Sequence, residues 1–113
     1  RNNGADDAAD LGCTTPCDFI ERYCSRLHVS KEQTMLCLFI ANVIQEQNLI
    51  PDNTPNSVAA GIVFFMCQLF GLNRSKAEIK TICNVSEVTI NKCYKKIDAM
   101  KHKLVPSCFL QES

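Results

Sequence analysis

SKAEIKTICNVSEVTINKCYKKI, residues 75–97, reads as two short helices joined by a tight turn. Ser75 and Glu78 have the S-x-x-E spacing of a capping box, in which hydroxyl and carboxylate each take an otherwise unpaired first-turn amide. A helix therefore starts at about Lys76. Ile79, Ile82 and Cys83 recur at helical spacing along it, and Asn84, of a type that tolerates left-handed backbone, follows where the chain must turn. Ser86 caps the next helix, whose apolar face is Ile90, Cys93, Tyr94 and Ile97. The opposite stripe holds Val88, Asn91, Lys92 and Lys95, three or four residues apart. Over about residues 75–101 this is the layout of a helix-turn-helix with polar and basic side chains turned outward.

Charge separates along the chain in a way that suits such a reader. The formal net charge of the 113 residues is zero, yet residues 1–73 hold four basic and eight acidic side chains, whereas residues 74–103 hold eight basic and three acidic. A basic half containing a helix-turn-helix is an electrostatic footprint for phosphate. Lys92 and Lys95 on the outward stripe, with Lys80 and Arg74 beside the turn, are the candidate phosphate contacts. Val88 and Asn91 lie on the same outward stripe, in the first turns of the second helix. Their bland alternative is an ordinary solvated face, since exposed lysines and single exposed apolar residues are common.

Working outward, residues 1–12 are small, polar and acidic and read as a flexible tail or linker. Thr15-Pro16 opens a helix to about Leu27, with Phe19, Ile20, Tyr23, Cys24 and Leu27 on one face. Ser30 and Gln33 form a second capping box, starting a helix to about Gln47 that is apolar on most sides and so expected to be central. Thr54 is the expected cap, and Pro55 the first position, of a helix to about Phe70, whose Ala59, Ala60 and Gly61 allow close helix approach. Residues 71–74 connect it to the helix-turn-helix. The expected fold is all-α, five helices in one domain spanning 13–110, followed by a short tail at 111–113.

The eight cysteines fit neither a disulfide framework nor a zinc site, because no C-x-x-C pair occurs and Cys13 and Cys17 lack a second ligand pair. Cys24, Cys37, Cys67, Cys83 and Cys93 fall among apolar neighbours in helical segments and read as buried free thiols, which suits a reducing compartment. Cys24 and His28 are four apart on one helix, the only hint of a thiol-base pair. Without an orienting third group, and with the thiol buried, catalysis is not expected. No run approaches the roughly 18 consecutive apolar residues of a membrane span, and the chain opens without the pattern of a secretory signal.

Five helices ending in a helix-turn-helix resemble a cyclin-like repeat. The segments FIERYCSRLHVSKE, LIPDNTPNSVAA and AEIKTICNVSEVTINKCYKKI are similar to the second, carboxy-terminal cyclin-like repeat of the transcription factor IIB family. The likeness covers about Thr14 to Phe109. Its most specific part is the pattern E-I-x-x-I-x-x-V-x-x-V-T-I-x-x-x-Y, met by Glu78, Ile79, Ile82, Val85, Val88, Thr89, Ile90 and Tyr94. The resemblance implies a nuclear general transcription initiation factor domain that binds promoter DNA next to the TATA box, with the TATA-box-binding protein and RNA polymerase II as partners. No cofactor, metal or small-molecule substrate is implied. It also implies that the second helix enters the major groove through a valine and an arginine in its first turn. Val88 matches the valine, whereas Asn91 stands at the arginine position. Arginine pairs bidentately with guanine and asparagine with adenine, so the family's guanine-containing flank is expected to be read weakly. The alternatives are the related RNA polymerase III initiation factor and a cyclin-like protein–protein interaction domain that makes no DNA contact.

Overall fold

The computed structural model describes residues 15–105; the acidic segment 1–12, Cys13, Thr14 and residues 106–113, with Cys108, lie outside the described residues. Each helix begins and ends where local chemistry dictates. Helix α1, Pro16–Leu27, starts with Pro16 in its first turn and the Thr15 hydroxyl accepting from the Asp18 amide at 3.4 Å. It stops at His28, which adopts left-handed backbone with φ 58°. Helix α2, Lys31–Gln47, has the complete expected capping box: Ser30 Oγ accepts from the Gln33 amide at 3.1 Å, and Gln33 Oε1 accepts from the Ser30 amide at 3.0 Å. Left-handed Asn48 ends it.

Helix α3, Pro55–Leu69, follows the two-proline break as expected, with one correction at its start. Thr54 occupies the cap position, but its side chain takes no first-turn amide. Its hydroxyl lies 2.6 Å from Asn56 Oδ1 and 2.9 Å from Ser57 Oγ. Pro55 has no N–H to be capped, so the missing bond leaves fewer amides orphaned than it would at another helix start. Helix α4, Lys76–Cys83, and helix α5, Glu87–Ala99, make the helix-turn-helix. A further single turn, α6, Lys101–Leu104, raises the expected five helices to six, with no strand among the described residues.

The all-α layout is built around α3. Every residue from Ser57 to Cys67 is buried, because α1, α2, α4 and α5 all pack on it. The expectation that α2 is equally central is corrected. It buries Leu36, Cys37, Ile40, Ala41 and Ile44 but leaves Met35 60% and Phe39 45% exposed. Its apolar content exceeds what one contact face needs. The tightest crossing is α3 on α5, where a Cβ added to Gly61 would overlap the Cβ of Cys93. The small residues at 59–61 thus bring the second helix of the helix-turn-helix directly onto the core, which fixes its rotation about its own axis.

Candidate nucleic-acid interface

The turn between α4 and α5 is held by three successive residues with distinct tasks. Asn84 adopts the left-handed conformation expected of it, with φ 57° and ψ 42°, and its amide donates to the Lys80 carbonyl at 2.7 Å. Val85 turns inward and is buried. Ser86 caps α5, its Oγ accepting from the Thr89 amide at 3.2 Å. At the start of α4, the Ser75 hydroxyl accepts from the Glu78 amide at 3.2 Å. The reciprocal half of that expected capping box is absent: the Glu78 carboxylate is engaged by Arg74. An Arg-carboxylate contact is charge-assisted and outcompetes a neutral amide for the same oxygen.

The far end of α4 is tied to α1. The buried Tyr23 hydroxyl donates to the Cys83 carbonyl at 3.2 Å, and the Arg26 guanidinium to the Ile82 carbonyl at 3.0 Å. Helix ends leave their last carbonyls unpaired, so these two side chains supply partners the helix itself cannot. Arg74 completes the tie from the other end, donating to the Leu27 carbonyl at 3.2 Å. Sequence reasoning did not find Tyr23 or Arg26 in this role. Their acceptors are backbone carbonyls 60 and 56 residues away, which carry no residue-type signal.

On α5, Ile90, Cys93 and Ile97 are fully buried, and this orients the rest of the helix. Tyr94 is half-buried, its ring edge-on to Phe64 at 5.1 Å. Val88 is 72% exposed, an apolar side chain without cover among the described residues. Asn91 is partly exposed, and Lys92 and Lys95 are exposed beside it. Lys80 is exposed on α4, next to the turn. Five of the six candidate contacts lie on the surface of the helix-turn-helix, and Arg74, just before it and with its side chain 35% exposed, is also engaged by Glu78 and the Leu27 carbonyl. Two further lysines are also engaged: Lys96 donates to Asn53 Oδ1 at 3.1 Å, and Lys76 lies over the Phe64 ring at 5.9 Å.

The five thiols expected to be buried are buried. Burial pushes the Cys67 thiol up to about 11 and the Cys83 thiol up to about 12, and it raises Cys93 as well. For Cys37 the neighbouring Cys24 thiol and burial act in the same direction, well above the ordinary thiol value. Cys24 faces the core at 2% exposure, while His28 is an exposed helix terminus. Among the described residues no group of His, Cys, Asp and Glu is arranged to hold a metal ion, and no helix is long and apolar enough to cross a membrane.

Comparison with known proteins bears on this arrangement directly. Residues 9–100 match the family model described as the transcription factor TFIIB repeat. The chain is 40% identical over 80 residues to a transcription initiation factor IIB-like protein of Acanthamoeba polyphaga mimivirus, covering 71% of this chain and 17% of that protein. It is 36% identical over 92 residues to transcription initiation factor IIB of Mus musculus, and 35% identical over 92 residues to that of Homo sapiens. Each of those two matches covers 81% of this chain and 29% of the relative. The chain thus spans less than a third of the length of these relatives, and what it shares with them is one repeat. With its all-helical architecture, the match over most of the chain places it in the family: the chain belongs to the transcription factor IIB repeat family, as a cyclin-like repeat.

Proposed function

We propose that this repeat is part of a general transcription initiation factor and binds promoter DNA through its helix-turn-helix, next to the TATA box and the TATA-box-binding protein. In this reading it supports assembly of the initiation complex with RNA polymerase II in the nucleus, as a binding module rather than a catalyst. The observation that carries it is the stripe on α5. Burial of Ile90, Cys93 and Ile97 leaves Val88, Asn91, Lys92 and Lys95 on the accessible side of the second helix of a helix-turn-helix. That helix is the one such motifs place in the major groove. Val88 suits the methyl group of a thymine, and Asn91 suits the paired acceptor and donor of adenine. Lys92, Lys95 and Lys80 suit phosphate, which supplies affinity and register. The names of the relatives as transcription initiation factors support the setting.

The test is titration of TATA-containing duplexes, with and without the TATA-box-binding protein, across a range of salt. Each phosphate contact contributes about 0.9 to the slope of log affinity against log salt. Lys92→Ala with Lys95→Ala is expected to flatten that slope by roughly 2. An unchanged affinity and slope removes α5 from the interface and favours a repeat whose lysines meet an acidic protein instead.

A further inference from the structure

Segment 74–103 holds eight basic and three acidic residues, and two of the three acids are engaged by neighbouring cations. Arg74 binds Glu78, and the Lys101 Nζ lies 3.8 Å from Asp98. Glu87 is the third. It is exposed, and its carboxylate makes no ion pair or hydrogen bond among the described residues. It is also the first residue of α5, the helix whose outward stripe carries the proposed DNA contact.

Its place on the helix sets what it can reach. Every Cα–Cβ bond in a helix tilts toward the N-terminus, so the side chain of the first residue projects past the leading end. The preceding polar group, the Ser86 hydroxyl, is turned back onto the helix, where it accepts from the Thr89 amide at 3.2 Å and donates to the Thr89 hydroxyl at 2.9 Å. Glu87 is therefore the foremost side chain of α5 with its bonding capacity free. Asn91 follows one turn later on the same face, about 6 Å along the axis, and its amide is likewise unengaged among the described residues. Base pairs stack about 3.4 Å apart, so the two side chains address base pairs no more than two steps from each other.

Chemistry decides the partner. An ionised carboxylate accepts hydrogen bonds and donates none, and phosphate repels it. Glu87 thus subtracts from the sequence-independent attraction that the basic residues supply. Among base edges in the major groove, guanine presents two acceptors, thymine an acceptor and a methyl group, and adenine an acceptor beside its donor. Cytosine presents a donor alone. We infer that Glu87 is a specificity-determining residue, its carboxylate accepting from the exocyclic amino group of a cytosine within two base pairs of the base that Asn91 meets. The cytosine contact rests on the proposed docking of the helix-turn-helix in the major groove. It adds sequence choice mainly by exclusion: against any other base the carboxylate is desolvated beside an acceptor, and that penalty separates wrong sites from right ones.

The experiment is competition titration of the full chain, with the TATA-box-binding protein, against TATA-containing duplexes in which each flanking base pair is replaced in turn by the other three. One position is expected to prefer cytosine by roughly tenfold, the discrimination of a good base contact. Glu87→Ala should abolish that preference and leave base choice elsewhere unchanged. Glu87→Gln should move it from cytosine to adenine, with which glutamine pairs. Equal tightening on every duplex in Glu87→Gln overturns the inference, because it makes the carboxylate a source of repulsion only. A lower unfolding midpoint with base preferences unchanged also overturns it, by confining Glu87 to stabilising the start of α5. If base preferences ignore residue 87 while Lys92→Ala with Lys95→Ala flattens the salt slope, the cytosine contact falls and the groove reading stands. If neither set of variants alters binding, both fall.

Discussion

At Gly61 a single missing methyl decides how closely two helices approach. A Cβ there would overlap the Cys93 Cβ and would stand 3.2 Å from the Cys93 carbonyl carbon and 3.3 Å from the Tyr94 amide nitrogen. Two of these three atoms are backbone and cannot rotate away, so α5 itself would have to move. Gly61→Ala is therefore expected to destabilise the domain. The overpacking cost, typically about 1–3 kcal/mol, outweighs the gain of about 1 kcal/mol that alanine brings over glycine in a helix. Urea unfolding monitored by circular dichroism measures this, and an equal or higher midpoint for the alanine variant would contradict the contact. The left-handed positions His28, Asn48 and Asn84 are a different case, with φ between 51° and 58°. There the backbone demands the conformation, and asparagine meets it at modest cost. Asn84 was legible as the turn because Asn between two capped apolar segments has few other readings. The Gly61 contact was legible only as a tendency of small residues to permit close packing, since its partner lies on another helix.

Between elements, the position of α4 depends on side chains from α1. Tyr23 and Arg26 hold the Cys83 and Ile82 carbonyls, and Arg74 bridges the other end of α4 to the Leu27 carbonyl. The first two bonds are at the end of the helix that leads into the turn, so they determine where α5 begins. Tyr23→Phe keeps the ring and removes the donor, leaving a buried carbonyl without that partner. A loss of about 1–3 kcal/mol is expected. Because α4 is only eight residues long, the loss should appear first as faster amide hydrogen exchange in α4 and the turn, with α2 and α3 protected as before. Uniform acceleration across all helices, or none, would show that the tie does not act locally. The helices themselves were legible because capping residues and prolines mark their starts: Pro16, the Ser30 and Gln33 box, Pro55, Ser75 and Ser86 all stand where expected. What escaped sequence reasoning was competition for those groups. Glu78 is drawn to Arg74, Thr54 to Asn56 and Ser57, and Arg74 to Glu78 and the Leu27 carbonyl. A side chain with two suitable partners is ambiguous until the fold places one of them nearer.

Across the whole molecule, the buried thiols make folding sensitive to alkali. Cys37, Cys67, Cys83 and Cys93, whose thiols are all raised, come from α2, α3, α4 and α5, while Cys24 on α1 is shifted the other way by its hydrogen bond with the Cys37 thiol and takes no part in this effect. Among the described residues Ser57 is the one buried polar side chain and no charged side chain is buried, so the interior is built for neutral groups. Cys67 is raised to about 11 and Cys83 to about 12 by burial, whereas an exposed thiol ionises near 9.0. The unfolded chain therefore releases these protons at lower pH than the native state does. Below pH 9 both states hold the protons and stability is unaffected by them. Above it the unfolded state is progressively favoured, and the loss levels off only once the pH passes the folded-state values. Each thiol contributes a slope of up to about 1.4 kcal/mol per pH unit in that window. Tyr94, raised by burial and by Asp98, acts in the same direction at its own higher starting value. Urea midpoints measured under reducing conditions should be level with respect to these groups up to about pH 9 and fall steeply toward pH 11. Cys83→Ala is the discriminating variant: it is less stable at neutral pH, because it opens space in the core, but its alkaline slope should be shallower by about one proton. A slope identical to wild type would mean that the Cys83 thiol ionises as easily in the native fold as in the unfolded chain, which a side chain 3% exposed between α4 and the core does not permit.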